Sequence, residues 1–171
     1  MVVESCMLSI LKLFVQLCFF RISPEALPYS RVLLCILVVG DVLSTFFFRM
    51  PLQPIPVLQL WLAVIVSTVL SFVFVYYVLY LKNIPVRLIK IMTALFGIAL
   101  IFSGLFLLLQ LVQNKFMMGL FGLSLLLWDL MLKAHIFRFG LGITFVSGVF
   151  VALLYQVSIE LPIVFLQILH H

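Results

Sequence analysis

Residues Leu125 to Arg138 read LLLWDLMLKAHIFR, and here an almost unbroken run of hydrocarbon-soluble side chains stops being purely apolar. Asp129 stands among leucines, Lys133 follows four positions later, and His135 and Arg138 come next. On a helix, an acid four residues before a base shares its face, so Asp129 and Lys133 can neutralise each other. An ionised side chain at the centre of a bilayer costs roughly 2.5 to 3.5 kcal/mol even on lenient scales, so it is normally paired or turned inward. The plainer expectation is that the pair marks a helix end at the lipid headgroups. The sharper one is an intramembrane polar site or partner contact that includes Asp41, Asp129, Lys133 and His135.

The rest of the chain sets the medium for that stretch. Of 171 residues, 67% are hydrophobic and 9% charged, and the mean hydropathy is +1.42, which leaves too little polar surface to coat a soluble globule. The expected class is all-α: a polytopic transmembrane helix bundle in an integral membrane protein. The length allows about five spans of roughly 20 residues, so residues 1–171 form a single membrane domain. The formal charge of +5 does not suggest nucleic acid, because the ten Lys and Arg residues are scattered singly between apolar runs. They read as topology signals and lipid headgroup contacts. Cys6, Cys18 and Cys35 form no C-x-x-C pattern and have no histidine at ligand spacing, so no metal, cofactor or disulfide framework is expected. Glu4 replaces the basic start of a signal peptide and no small-x-small cleavage site follows, so the amino-terminal segment is read as retained.

In residues 3–20, Ser5, Ser9, Lys12 and Gln16 form a narrow polar stripe on an otherwise apolar helix. That pattern predicts an amphipathic helix lying in the membrane plane, with a short complete span as the alternative. Pro24 and Pro28 then break the chain into an elbow. The first span is expected at 31–49, between two arginines, with Asp41 near its middle and no base within a turn. Asp41 must therefore be protonated, reach water, or meet a cation from another helix. Three prolines mark a loop over Met50 to Pro56, and a second span follows at 57–81. Trp61 and Tyr76, Tyr77 and Tyr80 place aromatic residues near its two ends. Ser67, Thr68 and Ser71 are expected to bond to carbonyls one turn back on their own helix.

Further spans are expected at 88–112, 116–132 and 137–160, the last closed by Glu160 and Pro162. Gly140, Thr144, Gly148 and Ala152 recur at every fourth position and predict a smooth helix-packing or partner face. With five spans, eight bases (Lys12, Arg21, Arg31, Lys82, Arg87, Lys90, Lys133 and Arg138) fall on one side of the membrane and two (Arg49 and Lys115) on the other. That bias predicts a cytoplasmic amino terminus and a carboxyl terminus across the membrane, in a bacterial inner membrane.

No phosphate-binding glycine loop, H-E-x-x-H or G-x-S-x-G motif appears, and Gly140-Leu141-Gly142 lacks a preceding strand, so no enzyme is expected. His170 and His171 are not read as metal ligands. The expected function is that of an accessory, assembly or scaffolding subunit bound to lipid and to another integral membrane protein, or forming a homo-oligomer. The alternative is a small proton-coupled transporter or channel component using Asp41. The layout of an in-plane helix, the R-x-S-P and L-P elbow at Arg21 to Pro28 and five closely spaced spans resembles the small bacterial relatives of the Yip (Ypt-interacting protein) domain family. That resemblance implies a non-enzymatic role in trafficking or membrane organisation.

Overall fold

The computed structural model describes residues 10, 12–49, 56–109 and 114–170, and among them every regular element is helical. A short helix over residues 12–18 (α1) leads through a 3-10 turn at Pro24–Ala26 to α2 (Arg31–Arg49) and α3 (Val57–Leu81). A second 3-10 turn at Pro85–Arg87 opens α4 (Leu88–Leu109), which is followed by α5 (Lys115–Leu141) and α6 (Phe145–His170). Four segments are long and apolar enough to cross a membrane: Val57–Leu81, Pro85–Leu109, Lys115–Leu141 and Phe145–Pro162. The chain is an all-α integral membrane protein.

Packing makes a closed ring in the order α2, α4, α5, α6, α3 and back to α2. One end of this ring is fixed by polar contacts. Arg87 pairs with Glu25 at 2.7 Å and donates to the Phe139 carbonyl at 3.3 Å, while Lys90 donates to the Glu25 carbonyl at 2.9 Å. The elbow, the connection after α3 and the end of α5 therefore share one end, as up-and-down threading requires. At the other end of α5, the Asn114 side chain accepts from the Phe116 and Met117 amides, a cap worth about 1 kcal/mol.

Several expectations change. Residues 132–137 hold no turn, and α5 runs unbroken through Lys133, His135 and Arg138 to Leu141. The helix stops at Gly142, whose φ of 62° suits a residue without a side chain and whose amide bonds to the Arg138 carbonyl. Spans drawn at 116–132 and 137–160 are thus α5 and α6 with later boundaries. Charge was the wrong stop signal because Lys133 and His135 are buried and partnered, while Arg138 is exposed one turn before the true end. Likewise α6 continues past Glu160 and through Pro162. The four-residue series also splits: Gly140 is buried on α5 against Ile91, whereas Thr144 precedes α6 and bonds to Ser147. Gly148 and Ala152 do share a helix and are buried. A side chain at Gly148 would come within 2.7 Å of the Ala134 carbonyl, so this pair lets α6 approach the α5 backbone.

Over residues 12–18 apolar side chains pack into the bundle. Phe14, Leu17 and Cys18 are buried, with the Phe14 ring against Gly97 and the Cys18 carbonyl accepting from Trp128 Nε1 at 3.1 Å. Glu25 meets Arg87 in the turn before α4 and Phe14 meets Gly97 on α4, so this segment runs beside the first half of α4. The helix lies along the bundle because its i, i+3, i+4 apolar set fits the α4–α5 groove. Of the polar stripe, Lys12 is exposed and Gln16 half-buried, while Ser5 and Ser9 lie outside the described residues, as do Gln110 to Gln113 at the end expected for the third span.

Candidate functional site

The ring lines a half-open cavity of about 310 Å³, and all five of its helices contribute. Its polar lining comes from mid-helix positions. Asp41 and Thr45 lie on α2, Ser67 and Ser71 on α3, Asp129 and Lys133 on α5, and Gln156 and Glu160 on α6. Each is an i, i+4 pair, and i, i+4 positions share one helix face. α4 supplies a different wall, with the rings of Phe96, Phe102 and Phe106 beside Ser103.

Lys133 is the centre of the bonding. Its Nζ donates to Asp129 Oδ2 and to Gln156 Oε1, both at 2.6 Å, and lies 5.9 Å from the centroid of the Tyr155 ring. Asp129 and Lys133 are 8% and 7% exposed, which places the pair inside the bundle and not on its surface. Only one carboxylate oxygen of Asp129 is matched, since Oδ1 is buried without a hydrogen-bond partner. Among the described residues the ion pairs are Arg87 with Glu25 and Lys133 with Asp129; Asp41 faces the same cavity outside both. The sequence asks for a cation from another helix near Asp41, and α5 brings Lys133 to the cavity it lines.

The hydroxyls tie the wall together. Thr68 bonds to the Val64 carbonyl one turn back, as expected, but Ser67 and Ser71 do not. Ser67 donates across to the Ile159 carbonyl at 2.8 Å, and Ser71 shares a 2.6 Å bond with the Tyr155 hydroxyl. The first of these bonds reaches α6 one turn before Pro162. That proline lacks an amide hydrogen, so it removes a rung of the α6 ladder beside the cavity. On α2, Ser44 bonds to the Gly40 carbonyl of its own helix.

His135 does not join the site. Its Nε2 is 3.4 Å from the Ile22 carbonyl, and its ring sits between Phe20 and Phe139, with centroids 5.2 and 4.7 Å away. It fastens the elbow to α5. Three of the four residues expected at a polar site, Asp41, Asp129 and Lys133, thus line one cavity. Tyr155, Gln156 and Glu160 on α6 join them without having been picked out from the sequence. Gln156 and Glu160 sit four apart, the same spacing as Asp129 and Lys133, and that repeated interval is the signal that could have found them. No family model, curated protein or solved structure matches the chain.

Proposed function

We propose that this protein is a small proton-coupled carrier or channel component that holds a polar solute in the mid-depth cavity, with Asp41 as the titrating group. The observation that carries this reading is the convergence of Asp41, the Asp129–Lys133 pair and Glu160 on one cavity inside a bundle whose outer surface is apolar. Ionisable groups at membrane depth are costly, and they concentrate on ion and substrate routes. A proline-interrupted helix beside the site fits the same class. Asp41 is faced by Asp129 and Lys133 from α5 and by Tyr155 and Glu160 from α6, so its proton exchange is coupled to the solute's charge. In liposomes loaded with a pH-sensitive dye, the wild-type protein should move protons when a potential is imposed. Asp41→Asn should abolish that movement while remaining monodisperse, and unchanged movement would remove Asp41 from the mechanism.

We place the protein in a bacterial inner membrane with the elbow end in the cytoplasm, on the strength of the bases Arg21, Arg31, Lys82, Arg87, Lys90 and Arg138 near that end. A scaffolding role, the one the Yip-like layout implies, is the second reading. It rests on the first half of α5, where Phe116, Leu120 and Leu123 are 74%, 51% and 57% exposed. If that half seats a partner, purification in mild detergent should retain a stoichiometric protein that Leu120→Trp releases.

A further inference from the structure

The lining chemistry narrows the solute further, on the condition that the cavity is a solute site. Two carboxyl groups, Asp41 and Asp129, line it beside the ammonium of Lys133. Asp129 is buried, lines the cavity, and presents an Oδ1 with no hydrogen-bond partner, so the wall holds acceptor capacity that Lys133 leaves unused. An anion would meet the carboxyl groups of Asp41 and Asp129, whereas a cation adds charge attraction to the use of that acceptor capacity.

Among the described residues, no three of His, Cys, Asp and Glu come close enough together to hold a metal ion. A bare metal cation requires several oxygens at short range, whereas here the carboxyl groups stand on separate helices around an open volume. α4, which packs between α2 and α5, adds Phe96, Phe102 and Phe106 to the lining, and α6 adds Tyr155. Carboxylates facing aromatic rings are the recognition set for alkylammonium groups, which take a counter-ion on one side and ring faces on the other. A volume of about 310 Å³ lies at the small end of ligand pockets, which run from roughly 300 to 1,000 Å³.

We infer that the cavity binds a small organic cation of the alkylammonium class, held by Asp129 and Asp41 against the aromatic wall of α4. Lys133 acts as the resident counter-ion of Asp129, and the solute takes the Oδ1 that Lys133 does not use.

The test is equilibrium binding of radiolabelled tetramethylammonium to the full chain in mild detergent. This probe is permanently charged, so its own protonation cannot vary. Saturable binding is expected, displaced by ethylammonium and not by an equal concentration of sodium. Asp129→Asn and Asp41→Asn should each weaken it about tenfold or more, and Phe106→Leu, which keeps an apolar side chain but removes a ring, by about threefold. Because Asp129→Asn also disturbs Lys133, Asp129→Glu serves as the folding control and should retain binding. Sodium displacing the probe as well as ethylammonium does, or Phe106→Leu leaving affinity unchanged, would overturn the alkylammonium assignment and leave the carrier reading standing. Absent binding of every cation, with Asp41-dependent proton movement intact, would do the same. Absent binding together with proton movement unaffected by Asp41→Asn would overturn both.

Discussion

The two halves of α5 have the same helical backbone and similar apolar content but opposite surroundings. No residue from Lys115 to Trp128 is buried, whereas every buried position on the helix falls between Asp129 and Leu141. The first half is richer in Leu, Phe and Met and faces outward; the second half carries Asp129, Lys133 and His135 and lies inside. Burial in a bilayer is not driven by hydrophobicity, since lipid tails are as apolar as leucine. What selects the inner half is the need to partner its polar groups and the close approach allowed at Gly140 and, from α6, at Gly148. On α5 a polar side chain is a better marker of the interior than an apolar one.

That contrast can be broken by substitution. The largest effect is expected at Lys133: Lys133→Ala leaves Asp129 buried without its counter-ion and should cost about 3 to 5 kcal/mol. Leu120→Ala, in the outer half, should stay within about 0.5 kcal/mol. Chemical unfolding in mild detergent measures both, and similar values would erase the distinction between the halves. Next in size, Leu123→Lys places a charge on the exposed half and should lower insertion by roughly 2.5 to 3.5 kcal/mol in a translocon assay, unless the side chain reaches the headgroups. Gly148→Leu comes third. Its side chain would press on the Ala134 carbonyl and force α5 and α6 apart, a destabilisation of about 1 to 3 kcal/mol visible as a lower melting temperature. The smallest effect is local. A side chain at Gly97 would overlap the Phe14 ring, so Gly97→Val should lift α1 and raise the labelling rate of buried Cys18 by a lipid-soluble maleimide, with exposed Cys35 as the internal reference.

The bundle was legible because hydropathy and proline placement act locally. The bounds of α2 and α3 coincide with the expected 31–49 and 57–81. The α5–α6 boundary was not legible in the same way. Lys133 to Arg138 looks like a helix end only if its charges meet water, and their partners, Gln156 and the Ile22 carbonyl, are distant in sequence. The real stop, Gly142, was visible as a glycine but carried no charge to mark it. The docking of residues 12–18 on the bundle was not legible for a related reason. A polar stripe states which face avoids hydrocarbon, but not whether the apolar face meets lipid or the α4–α5 groove.

Half of the site could be read from single residues. Asp41, Asp129 and Lys133 stand out wherever they fall, because their cost in hydrocarbon does not depend on the fold. Ser67, Ser71, Tyr155 and Gln156 do not stand out alone, since each has a harmless local alternative; only the crossing of α3 and α6 turns Ser71 toward Tyr155 and Ser67 toward Ile159. The recurring four-residue interval of polar side chains on four helices is the feature that joins them.

The shared cavity of Asp41 and Lys133 is tested most directly by a double-mutant cycle with Asp41→Asn and Lys133→Gln, followed by chemical unfolding in mild detergent. Groups that face one another across this cavity should couple by more than about 0.5 kcal/mol. Effects that add to within about 0.3 kcal/mol would place the two residues in separate environments and contradict a common intramembrane site.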